Sequence, residues 1–180
     1  NQERLEDFAG RIGSQIEADS TSLMKSFSDE NFLKEQNMTR ENVLSLFIPN
    51  SYEYFWNTSA IKFRDRMAKE YRNFWTPERL EKAKNLNLTP LQVSSLASIV
   101  HKETVKSDER PTVAGVYLNR LERGMKLEAD PTVIYGITNG QNKDEGQGPL
   151  GRRLLTKDLQ TDTPYNTYTR NGLTPTAICN

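Results

Sequence analysis

The chain has 180 residues, with 24 Lys and Arg balanced by 24 Asp and Glu for a formal net charge of zero. That length suits one domain, or one domain with a helical extension, and is enough to bury a real core. Balanced charge argues against a surface that coats nucleic acid, because phosphate binding needs an excess of basic residues. Apolar residues make up 35% of the chain, yet 2 Trp, 7 Tyr and 7 Phe at recurrent spacing exclude a disordered tail. No apolar run is long enough to span a bilayer, and the opening residues lack a signal-peptide pattern. The chain opens on Asn1 and stops after Ala177-Ile178-Cys179, so it is expected to be a piece of a longer protein. Its single cysteine, Cys179, permits no internal disulfide.

Leu5, Phe8, Ala9, Ile12 and Ile16 recur at helical spacing and predict a first amphipathic helix, punctuated by Asp19 and Ser20. Leu23, Met24 and Phe27 predict a second helical stretch, and Val43, Leu44 and Phe47 a third. From Ile48 to Trp56 the pattern breaks into an extended, aromatic-rich connection. Thr58 or Ser59 caps a further helix carried by Phe63, Met67 and Tyr71. Thr76-Pro77-Glu78-Arg79 opens another, with proline in the first turn, where its missing N–H costs nothing.

Thr89-Pro90-Leu91-Gln92 reads as a capping box, opening a helix through Leu96, Ile99 and Val100 to about Val105. The next helix runs from about Pro111 through Val113, Val116, Tyr117, Arg120 and Leu121, and Gly124 stops it. Asp130-Pro131-Thr132 repeats the cap-plus-proline pattern ahead of Val133-Ile134-Tyr135-Gly136. Gly, Asn and charge from Asn139 to Gly151 predict an exposed loop, and Tyr165-Asn166-Thr167-Tyr168-Thr169 has strand-like composition. The expected fold class is α+β, mostly helical: a helical N-terminal part, then a helical core with a small β portion.

Glu103 is the most informative residue. At about 100° per residue it projects between Ile99 and Val100 and over Leu96, on the apolar stripe of a capped helix. A charged carboxylate is costly to bury there, and a partly desolvated Glu holds its proton near neutral pH, as a general acid must. The plainer alternative is a Glu at the rim of the stripe, reaching solvent or pairing with Arg120. Arg120 lies on the stripe of the following helix, where it either holds a substrate oxygen and orients Glu103 or forms an ordinary ion pair. Asn119, Asp130 and Thr132 sit near helix ends, where capping is the default explanation. Tyr52, Tyr54, Phe55 and Trp56 could stack on sugar rings, although such clusters more often fill a core. His101 is the sole histidine, with no second His or Cys at ligand spacing, so neither a metal nor a cofactor is expected. A Gly-rich phosphate loop and a Ser nucleophile elbow are both missing.

Several ordered blocks together resemble the endolytic murein transglycosylases of the YceG-like family. They are Leu96-Ala97-Ser98-Ile99-Val100-His101-Lys102-Glu103-Thr104, Glu109-Arg110-Pro111, Val113-Ala114-Gly115-Val116-Tyr117-Leu118-Asn119-Arg120-Leu121 with Gly124-Met125, and Asp130-Pro131-Thr132-Val133-Ile134-Tyr135-Gly136. Thr163-Pro164-Tyr165-Asn166-Thr167-Tyr168, Gly172-Leu173 and the upstream Ile48-Pro49-Asn50-Ser51-Tyr52-Glu53 fit as well. The match spans roughly residues 45 to 178.

The resemblance implies a single-pass protein of the bacterial inner membrane whose periplasmic part cuts peptidoglycan glycan strands internally. It implies a membrane anchor absent from this chain, residues 1–35 as the helical remainder of a LysM-like or linker piece, and residues 36–180 as a catalytic domain shortened at its C-terminal end. Glu103 becomes the catalytic acid. Asn119, Arg120, Asp130, Thr132, Tyr135, Asn166, Thr167 and Tyr168 become candidates for lining or bracing the cleft. Glycan strands are the expected partner, with cell-wall synthases beside them. One carboxyl then suffices, giving its proton to the leaving oxygen and taking another from the muramoyl 6-hydroxyl to leave 1,6-anhydro ends; two-carboxylate hydrolases need a second group. The rival reading is a non-catalytic peptidoglycan-binding scaffold of a synthesis complex. Departures from the family pattern are His101, where many members carry an acid, Thr174-Pro175-Thr176 in place of a Pro-Pro-Gly-like turn, and the long stretch after Asn139.

Overall fold

The computed structural model describes residues 2–139 and 150–180. Of the loop expected over 139–151, residues 140–149 therefore lie outside the described residues. The chain forms two compact units, Asn1–Pro90 with Cys179–Asn180, and Leu91–Ile178.

The first unit holds α1 (Leu5–Gly13), α2 (Ser20–Phe27), α3 (Glu30–Glu35), a 3₁₀ turn at Val43–Leu46, α4 (Ala60–Phe74) and α5 (Pro77–Asn85). Side-chain caps fix four of these helix starts by accepting orphan backbone N–H groups. Asp19 accepts from Ser22 N at 2.7 Å and Asp29 from Phe32 N at 2.8 Å. Ser59 accepts from Lys62 N and Thr76 from Arg79 N, with Pro77 in the first turn of α5. The unit closes around Phe8, Phe27, Phe47 and Phe63, whose ring centroids lie between 4.4 and 6.4 Å apart. Aromatic packing of this kind, tilted in every pair but the stacked Phe47–Phe63, adds to the burial of large apolar area. The third predicted helix is the 3₁₀ turn, and the short α3 carries too few apolar residues to show a period.

The link from Ile48 to Trp56 forms neither helix nor strand. Its aromatic residues divide between two environments. Tyr54 packs on Phe63 at 4.9 Å and directs its hydroxyl to Met67 Sδ, and Tyr52 donates to Ile48 O. Phe55 and Trp56, by contrast, are 84% and 68% exposed.

The second unit contains α6 (Pro90–Glu103), α7 (Arg110–Glu122), α8 (Asp130–Thr138) and a 3₁₀ turn at Asp158–Gln160. On α6, Ser95, Leu96, Ser98, Ile99 and Val100 are buried, and Ser98 Oγ accepts Ile178 N at 2.9 Å, anchoring the segment before the C-terminus. No helix among the described residues is long and apolar enough to cross a membrane.

The fold class requires a correction. Among the described residues there is no strand, so the structure is helical with an irregular final third, and not α+β with a small β portion. The reason lies in Asn166. Its Nδ2 donates to Leu159 O at 3.0 Å and to Thr161 O at 2.7 Å, while its Oδ1 accepts Tyr168 N at 2.8 Å. Backbone bonds from Asn166 N to Thr163 O and from Arg170 N to Asn166 O complete consecutive turns. Local side-chain bonds of this sort compete directly with a sheet ladder. The β-rich composition of 165–169 instead serves side-chain contacts in a coil.

Candidate active site

Glu103 is the last residue of α6, and its carboxylate is exposed. The apolar stripe it was expected to share is buried, but the helix ends at Glu103, two residues short of the expected end at Val105, and Val105 itself is 93% exposed. The connection to α7 is tied down at once. Thr104 Oγ1 donates to Glu109 Oε2 at 2.7 Å and accepts Lys106 N at 3.1 Å, and Lys106 Nζ reaches Glu109 Oε1 at 2.9 Å. The Glu109 carboxyl is consequently held below the usual carboxylate range, by Lys106 first and then by Thr104.

Tyr117 is the buried residue of α7, 6% exposed, and its hydroxyl donates to Glu103 Oε2 at 3.1 Å. Burial pushes its phenol well above the ordinary value, and the Glu103 charge pushes it further. Tyr168, half-buried, donates its hydroxyl to Asp130 Oδ1 at 2.6 Å. Its phenol is pushed up to about 12, by burial first and then by Asp130, Glu128 and Glu103. Glu103 is thus felt at both tyrosines, which places Tyr117, Tyr168, Asp130 and Glu128 in one electrostatic neighbourhood. Both phenols stay protonated donors at any physiological pH.

Arg120 does not pair with Glu103. Its Nη1 donates to Lys126 O at 3.0 Å, Leu127 O at 2.8 Å and Glu128 Oε2 at 3.1 Å, pinning the strap that leads into α8. Gly124, at φ +66, allows the chain to turn out of α7 where the sequence predicts the stop. Asp130 is the first residue of α8 and not its cap; the capping position is Ala129, which has no side-chain acceptor. This leaves the Asp130 carboxylate for Tyr168.

Three of the other sequence candidates are buried braces. Thr132 and Thr167 join hydroxyl to hydroxyl at 2.8 Å, Thr132 Oγ1 donates to Ala129 O, and Thr167 Oγ1 accepts Ala129 N at 3.0 Å. Asn166 builds the turns already described. Tyr135 sets its ring edge-on against Tyr165 at 4.7 Å. Asn119 is exposed on α7, and among the described residues no side-chain hydrogen bond joins it to this group. His101 is half-buried, its imidazole held below the usual value by burial and then by Arg110 and Lys102. No cluster of His, Cys, Asp and Glu among the described residues could hold a metal ion.

Two cavities of about 540 and 450 Å³ lie in the first unit, and neither is lined by Glu103 or its neighbours. Sequence reasoning missed Tyr117 and Glu128 as members of this group. Tyr117 had one available signal, a phenol on a stripe with Val113 and Val116, since a buried Tyr hydroxyl needs a partner.

The arrangement offers an exposed carboxylate with one oxygen held by a neutral donor, beside a second acid–tyrosine pair. Comparison with known proteins gives it a context. Over 98% of this chain, an endolytic murein transglycosylase of Bacillus subtilis (strain 168) is 27% identical, and the chain spans 50% of that relative's length. An endolytic murein transglycosylase of Streptococcus pneumoniae serotype 2 is 37% identical over 97 residues, which is 51% of this chain and 16% of that protein. A crystal structure of a yceG-like protein from Listeria monocytogenes superposes with a TM-score of 0.73 at 27% identity, covering 98% of this chain and 60% of that one. The family model described as YceG-like matches residues 1–180, and the chain belongs to the YceG-like family.

Proposed function

We propose that this chain carries the catalytic machinery of an endolytic murein transglycosylase, with Glu103 as its acid and base. The single observation that carries the reading is the Glu103 carboxylate, exposed at the end of α6 and held through one oxygen by the Tyr117 hydroxyl. Relatives named for this activity support the assignment.

In this reading Glu103 gives its proton to the glycosidic oxygen between N-acetylmuramic acid and N-acetylglucosamine as the bond to C1 breaks. The carboxylate so formed takes the proton of the muramoyl 6-hydroxyl, whose oxygen closes on C1 as a 1,6-anhydro ring. No water enters, so one carboxyl is regenerated and a second is not required. Asp130 and Tyr168, with the exposed Asn119, are positioned to meet substrate; Arg120, Thr132, Asn166 and Thr167 brace the segments that carry them, and Tyr135 packs against Tyr165. Internal cuts would limit strand length. Peptidoglycan as substrate puts the reaction on the outer side of the inner membrane, with an anchor and cell-wall synthases as part of the same proposal.

The test is digestion of purified sacculi in ¹⁸O-water with the wild-type chain and with Glu103→Gln. The expected result is anhydro-ended, unlabelled products from the first. The variant should lose at least about 10²–10⁴-fold in rate, the usual worth of a general acid. Labelled reducing ends would make the protein a hydrolase, and binding without cleavage by a folded wild-type chain would make it a scaffold.

A further inference from the structure

We propose that Tyr117 is the positioning residue of the reaction, anchoring Glu103 through Oε2 so that Oε1 alone exchanges protons with substrate. This rests on the reading of Glu103 as the acid and base. The phenol is buried and donates to Oε2 at 3.1 Å, whereas Glu103 is exposed, so one oxygen is committed inward and the other accepts no hydrogen bond among the described residues.

The bond persists in both protonation states. With Glu103 ionised, Oε2 accepts from the phenol as a carboxylate oxygen; with Glu103 protonated on Oε1, Oε2 accepts as the acid's carbonyl oxygen. A proton on Oε2 would instead compete with the phenol for the same space. The transferable proton is thereby assigned to Oε1, and the rotation of the side chain is restricted. A hydrogen bond to a charged acceptor is stronger than one to a neutral acceptor, so the contact tightens as Glu103 gives its proton away. That is the moment at which an electrostatic contribution lowers the barrier.

Tyr117 fits the role because it cannot easily lose its own proton. Burial and the adjacent Glu103 both keep the phenol neutral, and Arg120 opposes them only in part. The other titratable groups acting on this pair are Tyr168, with Asp130 and Glu128 behind it. None of these contributes a hydrogen bond to Glu103 among the described residues.

The experiment compares wild type, Tyr117→Phe and Glu103→Gln on soluble glycan strands across pH, with melting temperature as the fold control. Tyr117→Phe should lower kcat by about ten- to a hundredfold, the worth of one bond to a charged group, with KM retained. Without the donor the acid releases its proton less readily, so the alkaline limb of the kcat profile should move to higher pH. Placing 3-fluorotyrosine at position 117, a stronger donor of nearly the same size, should move that limb the other way. A purely structural tyrosine would change melting and leave the limb in place. If Glu103→Gln is inactive while both position-117 proteins keep the wild-type kcat and limb, the assignment of Tyr117 is wrong and the role of Glu103 stands. If Glu103→Gln cleaves normally, the reading of the reaction itself falls, and this inference with it.

Discussion

Thr132 and Thr167, 35 residues apart in sequence, are both buried and share a hydroxyl–hydroxyl hydrogen bond of 2.8 Å. The pair ties the first turn of α8 to the turns built by Asn166. Thr167 also accepts Ala129 N through Oγ1 and Glu128 N through its carbonyl. Asp130 lies beside Ala129 and Tyr168 beside Thr167, so this buried knot is what brings the Tyr168 hydroxyl onto the Asp130 carboxylate.

Thr167→Val keeps the volume but strands the buried Ala129 N–H and removes the hydroxyl–hydroxyl bond to Thr132, which keeps its own bond to Ala129 O. Leaving buried polar groups unsatisfied costs about 1–3 kcal/mol. The expected outcome is a lower urea midpoint with an unchanged slope, and recovery of most of the loss in Thr167→Ser. A valine variant within about 0.5 kcal/mol of wild type, the range of an indifferent surface change, would show that the knot does not hold this region.

Gly136 lies on α8 against Thr163 and Tyr165. A Cβ there would run into Thr163 Oγ1, at 3.2 Å from Thr163 Cβ and 3.4 Å from Tyr165 Cβ. Helix propensity favours Ala over Gly by about 1 kcal/mol, whereas overpacking costs about 1–3 kcal/mol. Gly136→Ala should therefore melt at lower temperature than wild type, with the Tyr135–Tyr165 contact disturbed. A higher melting temperature would mean that Thr163 yields freely.

The sequence-legible features are those whose causes are local. Ser59, Thr76 and Pro77 mark helix starts because a cap or a first-turn proline acts within three residues. Gly124 marks a stop through its own φ, and the Ile99–Val100 stripe gives α6 its buried face. Partners set by tertiary packing were not legible. Arg120 shares a helical stripe with Tyr117, but its guanidinium turns to the carbonyls of 126 and 127, a contact fixed only once the strap folds back. Glu103 was expected to be partly desolvated on a stripe that ends with the helix, because periodicity cannot tell where the last turn unwinds. Tyr165 to Thr169 has the composition of a strand, and a single Asn side chain with three backbone contacts overrides it.

Asp158 should make stability pH-dependent in the acid range. Its carboxylate receives both Arg152 Nη atoms, at 2.6 and 2.8 Å, and Leu155 N at 2.8 Å. Arg152 first, and then Leu155 N, lower its pKa from 3.8 to about 2. The folded state thus favours the ionised form, and between these values the unfolded chain binds more protons. Its stabilising contribution is fully present above about pH 4 and drains away as pH falls toward about 2. Denaturant midpoints measured from pH 6 to pH 2 should fall less steeply in Asp158→Asn than in wild type. Parallel curves would show that the pair does not favour the ionised carboxylate in the fold.

His101 should be dispensable for the chemistry despite lying two residues from Glu103. Two helical steps of 100° put it about 160° away around α6, on a different face from the carboxylate. Burial, then Arg110 and Lys102, hold its imidazole below the ordinary value of 6.5, so the folded chain keeps it neutral near pH 7. A neutral, half-buried imidazole on the far face neither donates a proton to the glycosidic oxygen nor pairs with Glu103. Its effect belongs to stability: that contribution is present above about pH 6.5 and is lost as pH falls through the depressed folded value. His101→Ala is therefore expected to cleave glycan at close to the wild-type rate and to show a flatter stability profile between pH 7 and pH 5. Cleavage lost as completely as in Glu103→Gln, in a variant that still melts cooperatively, would mean that both side chains serve one catalytic face and that the placement of Glu103 on α6 is wrong.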